Sequence, residues 1–100
     1  GVSHVKDAKK EHIVIRAHSL YIYKLIDTKP LHRSYAMVKP YAQYDDGEYA
    51  EFSVDIEPNN EFYGRILQMG AGLEIISPNY IRDTIAQQVH DLACLYPQNE

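Results

Sequence analysis

Five histidines are the residues of this sequence best suited to binding a metal, and their spacing decides whether they could do so. A metal site needs ligands that converge at short spacing, and the sequence contains no H-x-H, H-x-x-x-H or C-x-x-C pair. His12 and His18 flank one predicted strand, but the extended chain between them separates them by roughly 20 Å. The sequence therefore predicts no metal site.

The single cysteine is the clearest candidate for a nucleophile. Cys94 lies in the last predicted helix between Leu92 and Leu95, and His90 precedes it by one turn. An imidazole beside a thiol can act as its base. No oxyanion-hole motif accompanies the pair, however, and a free cysteine among leucines is usually a small apolar residue. We therefore expect no catalytic role for Cys94.

Three carboxylates share one face of a predicted strand, which is an arrangement that acid–base catalysis could use. Glu51, Asp55 and Glu57 alternate with apolar residues, as they would on any strand with one face in solvent. The sequence also lacks both glycine-rich phosphate-binding patterns, G-x-G-x-x-G and G-x-x-x-x-G-K-[ST]. We therefore predict that the protein is not an enzyme, has no catalytic residue and needs no cofactor.

The composition is that of one small globular domain. The 100 residues are 45% apolar and 24% charged, which is ordinary for such a domain. A net charge of −4 argues against an autonomous nucleic-acid binder, which would carry a basic face. No apolar run approaches the roughly 20 residues that a membrane helix needs. One cysteine leaves no internal disulfide, and we expect a reducing, cytoplasmic location.

The elements that position these residues follow from the hydrophobic periodicity. The pattern predicts a strand at 12–18, a short helix between Ser19 and Pro30, strands at 34–44 and 48–57, a helix at 60–70, a strand at 72–77 and a helix at 79–96. This order predicts an α+β fold: a ferredoxin-like βαββαβ sandwich with an additional C-terminal helix. Strict alternation in the third strand predicts one dry face and one wet face.

The last predicted helix has an apolar stripe that needs a partner. Ile81, Ile85, Val89, Leu92 and Tyr96 recur at helical spacing, so we expect the stripe to be buried against the sheet or against another chain. Six of the nine tyrosines lie between positions 21 and 49. They would either line a ligand groove or subunit contact, or pack across strands.

The domain is predicted to span residues 12–97. Residues 1–11 are polar and without periodicity, which is typical of a linker or a cloning remnant, and residues 98–100 are predicted to be a disordered tail. A start without methionine agrees with a piece of a longer chain.

Four segments appear in a fixed order between residues 12 and 96. They are Pro30-Leu31-His32 with Ser34, Val54 to Pro58, Phe62 to Gly70, and Glu74 to Pro78 with Ile81-Arg82, closed by Tyr96. Together they resemble the C-terminal segment, called WCX, of bacterial WYL-domain transcriptional regulators. In that family a winged helix-turn-helix binds DNA and an SH3-like WYL module precedes the WCX segment. The resemblance implies a ferredoxin-like domain that dimerises the regulator or shapes its effector site.

The resemblance implies a regulatory domain whose ligand or partner contacts are His32, Arg33, Ser34, Tyr35 and Arg82. The sequence has no tryptophan, no W-Y-L tripeptide and no helix-turn-helix pattern, so DNA would be bound only through domains outside this chain. The expected partners are a second copy and a small-molecule or nucleic-acid effector, with no membrane. Two alternatives share this pattern: a free-standing ACT-like small-molecule-binding domain and a purely structural dimerisation module. An acylphosphatase-like hydrolase would need an arginine in the loop after the first strand, where "AHSLYIY" has none.

Arg82 is the one candidate with a separate physical argument. It lies in the first turn of the last predicted helix, where the helix dipole disfavours a cation. An acidic neighbour such as Glu74 or Asp83, or an anionic ligand, would explain its position.

Overall fold

A computed structural model describes residues 9–98 of the chain, which form an antiparallel sheet and three helices. The strands are β1 (Glu11–Ala17), β2 (Ala36–Tyr44), β3 (Gly47–Ile56) and β4 (Leu73–Ser77); the helices are α1 (Leu20–Thr28), α2 (Asn60–Gln68) and α3 (Asn79–Leu95). A short 3-10 turn, Gly70–Gly72, precedes β4. β1 begins at Glu11, inside the predicted linker. Residues 1–8 of that linker, and residues 99 and 100 of the predicted tail, lie outside the described residues.

The sheet has the strand order β2-β3-β1-β4, and every neighbouring pair is antiparallel. The predicted α+β class, the four-stranded antiparallel sheet and the additional C-terminal helix are therefore confirmed. β2 and β4 are the two edge strands. The β2–β3 register shifts on both sides of Lys39, next to Pro40, because proline cannot donate a hydrogen bond to the ladder.

The core lies between one face of the sheet and the helices. Ile13 is paired with Val54 and Ile15 with Phe52, so these buried side chains project to the same side of β1 and β3. The helices close this side with four buried residues: Ile26 of α1, Phe62 and Ile66 of α2, and Ile81 of α3. Within the described residues, one continuous apolar cluster therefore joins all three helices to the sheet.

Side-chain caps set where the first two helices begin. Ser19 Oγ accepts the backbone N–H of Ile22 at 3.1 Å, and Asn59 Oδ1 accepts the backbone N–H of Phe62 at 2.9 Å. Each bond satisfies an amide that the first helical turn would leave without a partner. α2 ends at Gln68, and two residues later Gly70 has a φ of 57°, the left-handed conformation that glycine adopts without strain.

The second face of β3 is not the solvent-exposed face that its alternation predicts. Glu51 is 6% exposed and Ser53 4% exposed, so the prediction was wrong for these two residues, although Asp55 is exposed. Glu51 lies directly opposite Arg16 of β1 and accepts hydrogen bonds from its guanidinium. An ion pair between neighbouring strands can bury a charged side chain. The pattern of a single strand does not reveal that pair, because the partner lies on another strand.

The apolar stripe of α3 is covered along its first half only. Ile81 is fully buried and Ile85 packs against the core. Val89, Leu92 and Tyr96, which continue the same stripe and are called the α3 stripe below, are 47%, 51% and 73% exposed. α3 is 17 residues long, and every residue from 89 to 98 is exposed.

Candidate functional site

A groove of about 440 Å³ opens between the end of β3 and the start of α2, and it is called the β3–α2 groove below. Its apolar wall consists of Leu31, Ile56 and Phe62. Phe62 is only 5% exposed, so this wall is continuous with the domain core. Pro58 ends β3 and Asn59 caps α2, and the resulting sharp turn brings the last residues of the strand beside the first turns of the helix.

His32 lines this groove and is held by Ser34. The backbone N–H of Ser34 donates to His32 Nδ1 at 3.1 Å, and Ser34 Oγ lies 2.7 Å from the same nitrogen. Ser34 Oγ also accepts the backbone N–H of Asp55 at 2.8 Å and donates to the backbone carbonyl of Asp55 at 3.3 Å. Because Nδ1 accepts, the neutral imidazole carries its proton on Nε2. Ser34 therefore both anchors the loop to β3 and sets the tautomer of His32.

Charges of both signs surround the groove. The lining cations are Lys10 and Arg65, and the lining carboxylates are Asp55, Glu57 and Glu61. Asp55 Oδ1 lies 2.7 Å from Nδ1 of His12. Among residues 9–98, none of the other four forms an ion pair.

Tyr35 and Arg33 do not line the groove that contains His32. The Tyr35 ring lies 5.3 Å from the Phe52 ring, centroid to centroid, and its hydroxyl donates to Asp27 Oδ1 at 3.2 Å. Burial, followed by the hydrogen bond to Asp27, raises the pKa of Tyr35 to about 12. Arg33 is exposed and lines neither of the two grooves described here. Tyr35 therefore fastens β2 to α1, and the structure gives Arg33 no contact that suggests a role.

Arg82 is placed beside the acidic neighbour that its position suggested. Its Nη1 donates to Glu74 Oε2 at 2.9 Å and to the backbone carbonyl of Ile75 at 2.8 Å. His18 Nε2 lies 2.8 Å from the other Glu74 oxygen. Burial alone would raise the pKa of Glu74, but the hydrogen bonds from Arg82 and His18 lower it overall. Arg82 thus satisfies a carbonyl of an edge strand and pairs with a carboxylate.

Arg82 also lines a second, smaller groove of about 190 Å³ between β4 and α3. Leu73, Ile75 and Ile85 form most of its wall. The groove is apolar apart from the Arg82–Glu74 pair, and each member of that pair already has a partner. The five candidate contacts predicted from the sequence therefore do not form one site: His32 and Ser34 belong to the β3–α2 groove, and Arg82 belongs to the far edge of the sheet.

A comparison with protein-family models matches residues 11–93 to the WCX domain. The chain belongs to the WCX domain family. Neither a comparison with curated proteins nor one with solved structures found a match. The Pro30-to-Ser34 segment, on which the resemblance partly rested, forms the loop that carries His32 in this WCX domain, and the Val54-to-Pro58 segment forms the opposite rim of the β3–α2 groove.

Sequence reasoning missed the charged residues of the groove in this WCX domain. Lys10 lies in the predicted linker, and Glu61 and Arg65 lie in the helix predicted at 60–70, where no role was predicted for them. A signal was present for the last two, because the Pro58-Asn59 break requires residues just before and just after it to converge. No comparable signal exists for Lys10, whose position depends on the pairing of Glu11 with Ile56.

The part of the WCX domain that the structure describes holds no group of three or more histidine, cysteine, aspartate or glutamate side chains able to bind a metal. Cys94 is exposed on α3, and its Sγ lies 3.7 Å from His90 Nε2. No helix in this part is both long enough and apolar enough to cross a membrane.

Proposed function

We propose that this WCX domain is the C-terminal regulatory domain of a bacterial WYL-family transcriptional regulator, with the DNA-binding helix-turn-helix and the WYL module outside this chain. The observation that carries the proposal is the family match over residues 11–93. The net charge of −4 supports a role in which DNA is bound by other domains.

In this role the domain binds an effector in the β3–α2 groove. The groove supplies an apolar wall, an imidazole in a fixed tautomer and four charged side chains without an ion-pair partner among residues 9–98. Pockets that combine apolar surface with a few oriented polar groups are the usual form of small-molecule sites. An effector bound more tightly in one subunit arrangement shifts the population of arrangements and so changes the spacing of distant DNA-binding heads.

The domain also pairs with a second copy through the α3 stripe. Val89, Leu92 and Tyr96 are large apolar side chains on one face of a helix, and they continue a stripe that begins in the core. Large apolar side chains that are exposed next to one another on one face of a helix are typical of an interaction surface. Self-association of this kind also favours the second candidate function, a purely structural dimerisation module.

Light scattering across a concentration series of this chain tests the pairing, and a thermal-shift screen separates the two functions. A regulatory domain is expected to dimerise and to gain thermal stability with its effector, because a ligand that binds the folded state raises the unfolding midpoint. A structural module would dimerise and respond to no ligand. A monomer at every concentration would contradict pairing through this domain.

A further inference from the structure

We propose that the β3–α2 groove binds a small zwitterion of amino-acid size with an apolar side chain. The inference rests on the proposed effector-binding role and specifies the class of ligand. It is drawn from the size of the groove, from its apolar wall and from the placement of opposite charges around it.

The size and the wall define the apolar part of the ligand. A groove of about 440 Å³ lies at the lower end of the range in which proteins bind small molecules. Leu31 and Ile56 are partly exposed and present apolar surface to the groove, whereas Phe62 is almost fully buried. A branched aliphatic, thioether or aromatic side chain would remove this surface from water.

The carboxylate of the ligand would be bound by His32, Lys10 and Arg65. Ser34 occupies Nδ1 of the imidazole, so His32 offers a directed N–H at Nε2 and no acceptor. Lys10 and Arg65 line the same groove and supply positive charge. A hydrogen bond from a cationic or oriented N–H group to a carboxylate is about twice as strong as one between neutral groups.

The ammonium of the ligand would be bound by Glu57 and Glu61. Glu57 follows β3 and Glu61 lies in the first turn of α2, so the two carboxylates approach the groove from both sides of the turn at Asn59. Asp55 also lines the groove but already has His12 as a partner.

The balance of charge selects a zwitterion over a simple ion. Two cations face three carboxylates around the groove. A polyphosphate nucleotide or a single-stranded oligonucleotide would meet those carboxylates with like charge, and a simple amine would meet Lys10 and Arg65. A ligand with one charge of each sign satisfies both sets.

The test measures binding of L-leucine, L-phenylalanine and L-methionine to this chain by chemical-shift changes of backbone amides. Two analogues of leucine serve as matched probes: 4-methylpentanoate lacks the ammonium, and 3-methylbutylamine lacks the carboxylate. We expect at least one amino acid to shift amides around His32 and Glu57, and each analogue of leucine to bind about tenfold more weakly than leucine or worse. Equal binding of either analogue would overturn the proposal.

Variants assign the two ends of the ligand. Glu57→Gln is expected to weaken leucine binding about tenfold without weakening 4-methylpentanoate binding, whereas Arg65→Gln should weaken leucine binding without weakening 3-methylbutylamine binding. Arg33→Gln is the control, because Arg33 is an exposed cation of the same loop as His32 that does not line the groove. All three side chains are exposed, so each variant should retain the amide dispersion of the folded chain.

The outcomes separate this inference from the proposed function. One outcome is that the three amino acids leave the chemical shifts of the groove amides unchanged at millimolar concentration while ATP or an oligonucleotide changes them. In that case the proposed zwitterionic ligand is wrong, but the proposed binding of an effector in this groove is retained. If no probe shifts the groove amides, both the ligand class and effector binding at this groove fail, and dimerisation remains to be judged by light scattering.

Discussion

Arg16 of β1 and Glu51 of β3 form an ion pair across the middle of the sheet, with 2.6 Å between Nη2 and Oε2. The two side chains are 20% and 8% exposed, and the guanidinium also lies 3.9 Å from the centre of the Tyr49 ring. Glu51→Ala is expected to lower the free energy of unfolding by about 2 kcal/mol, because it leaves the partly buried guanidinium with only the more distant Asp46, at 4.0 Å, among its ion-pair partners in the described residues. Urea denaturation measures this loss.

Asp55→Ala is the matched control for that prediction. Asp55 lies on the same face of β3 and pairs with His12, but both side chains are more than half exposed, at 52% and 64%. A surface pair of this kind contributes about 0–1 kcal/mol. Equal losses of unfolding free energy in the two variants would show that burial does not make the Arg16–Glu51 pair more stabilising than the exposed pair.

Gly72 is required by the close approach of α1 to the turn before β4. A Cβ at this position would lie 2.7 Å from Cγ1 of Ile22, too close without movement of the helix or of the strand. Gly72→Ala is therefore expected to cost about 1–3 kcal/mol of stability in urea denaturation.

The opposite change in stability is expected for a substitution at Gly64, which lies in the middle of α2 and is exposed. A Cβ there meets no atom within 4 Å, and alanine has the higher helix propensity. Gly64→Ala should raise the unfolding free energy by about 0.5–1 kcal/mol. Destabilisation by both substitutions would contradict the packing described for these two glycines.

The Glu74 carboxyl makes stability depend on pH at the acid end. Despite burial, its pKa in the folded protein is lowered from 4.5 by Arg82 and His18. A lowered folded-state pKa means that the stabilisation is fully present above pH 4.5 and is lost as pH falls through the lower, folded value. This contribution to the unfolding free energy is expected to be below about 1 kcal/mol, because the Glu74 and Arg82 side chains are partly exposed to water.

Glu74→Gln tests this dependence by denaturation at a series of pH values. The difference in unfolding free energy between the native chain and the variant should be constant near neutrality and shrink as the pH falls below 4.5. A difference that stays unchanged down to the acid transition would exclude the contribution of Glu74.

The proposed pairing through the α3 stripe predicts how self-association would respond to a single added charge. Leu92→Lys places an ammonium in the middle of the stripe and should convert a dimer to a monomer in light scattering, because an unpaired charge is costly in an apolar interface. Gln87→Lys adds the same charge to the opposite face of α3 and should leave the dimer intact. Both variants should keep the helical circular dichroism of the native chain. Loss of the dimer in both would point to net charge rather than the stripe.

The candidate site was predictable where its residues are close in the chain. His32 and Ser34 are two positions apart, and both were among the candidate contacts predicted from the sequence. Glu57, Glu61 and Arg65 surround the strand-to-helix break, so their convergence could have been inferred from that break. The position of Lys10 could not be inferred, because only the register of β1 on β3 brings Lys10 to the groove.

The order of elements was determined by the sequence itself, since alternation, helical spacing, Pro30 and the caps Ser19 and Asn59 act within a few residues. Tertiary structure alone decided that Glu51 is buried beside Arg16, that Arg82 binds the edge of β4, and that α3 leaves half of its stripe uncovered. These outcomes depend on which distant strands become neighbours and where the sheet ends. Local patterns report the tendency of a side chain to be buried, but the partner that buries it is set by the packing of the whole chain.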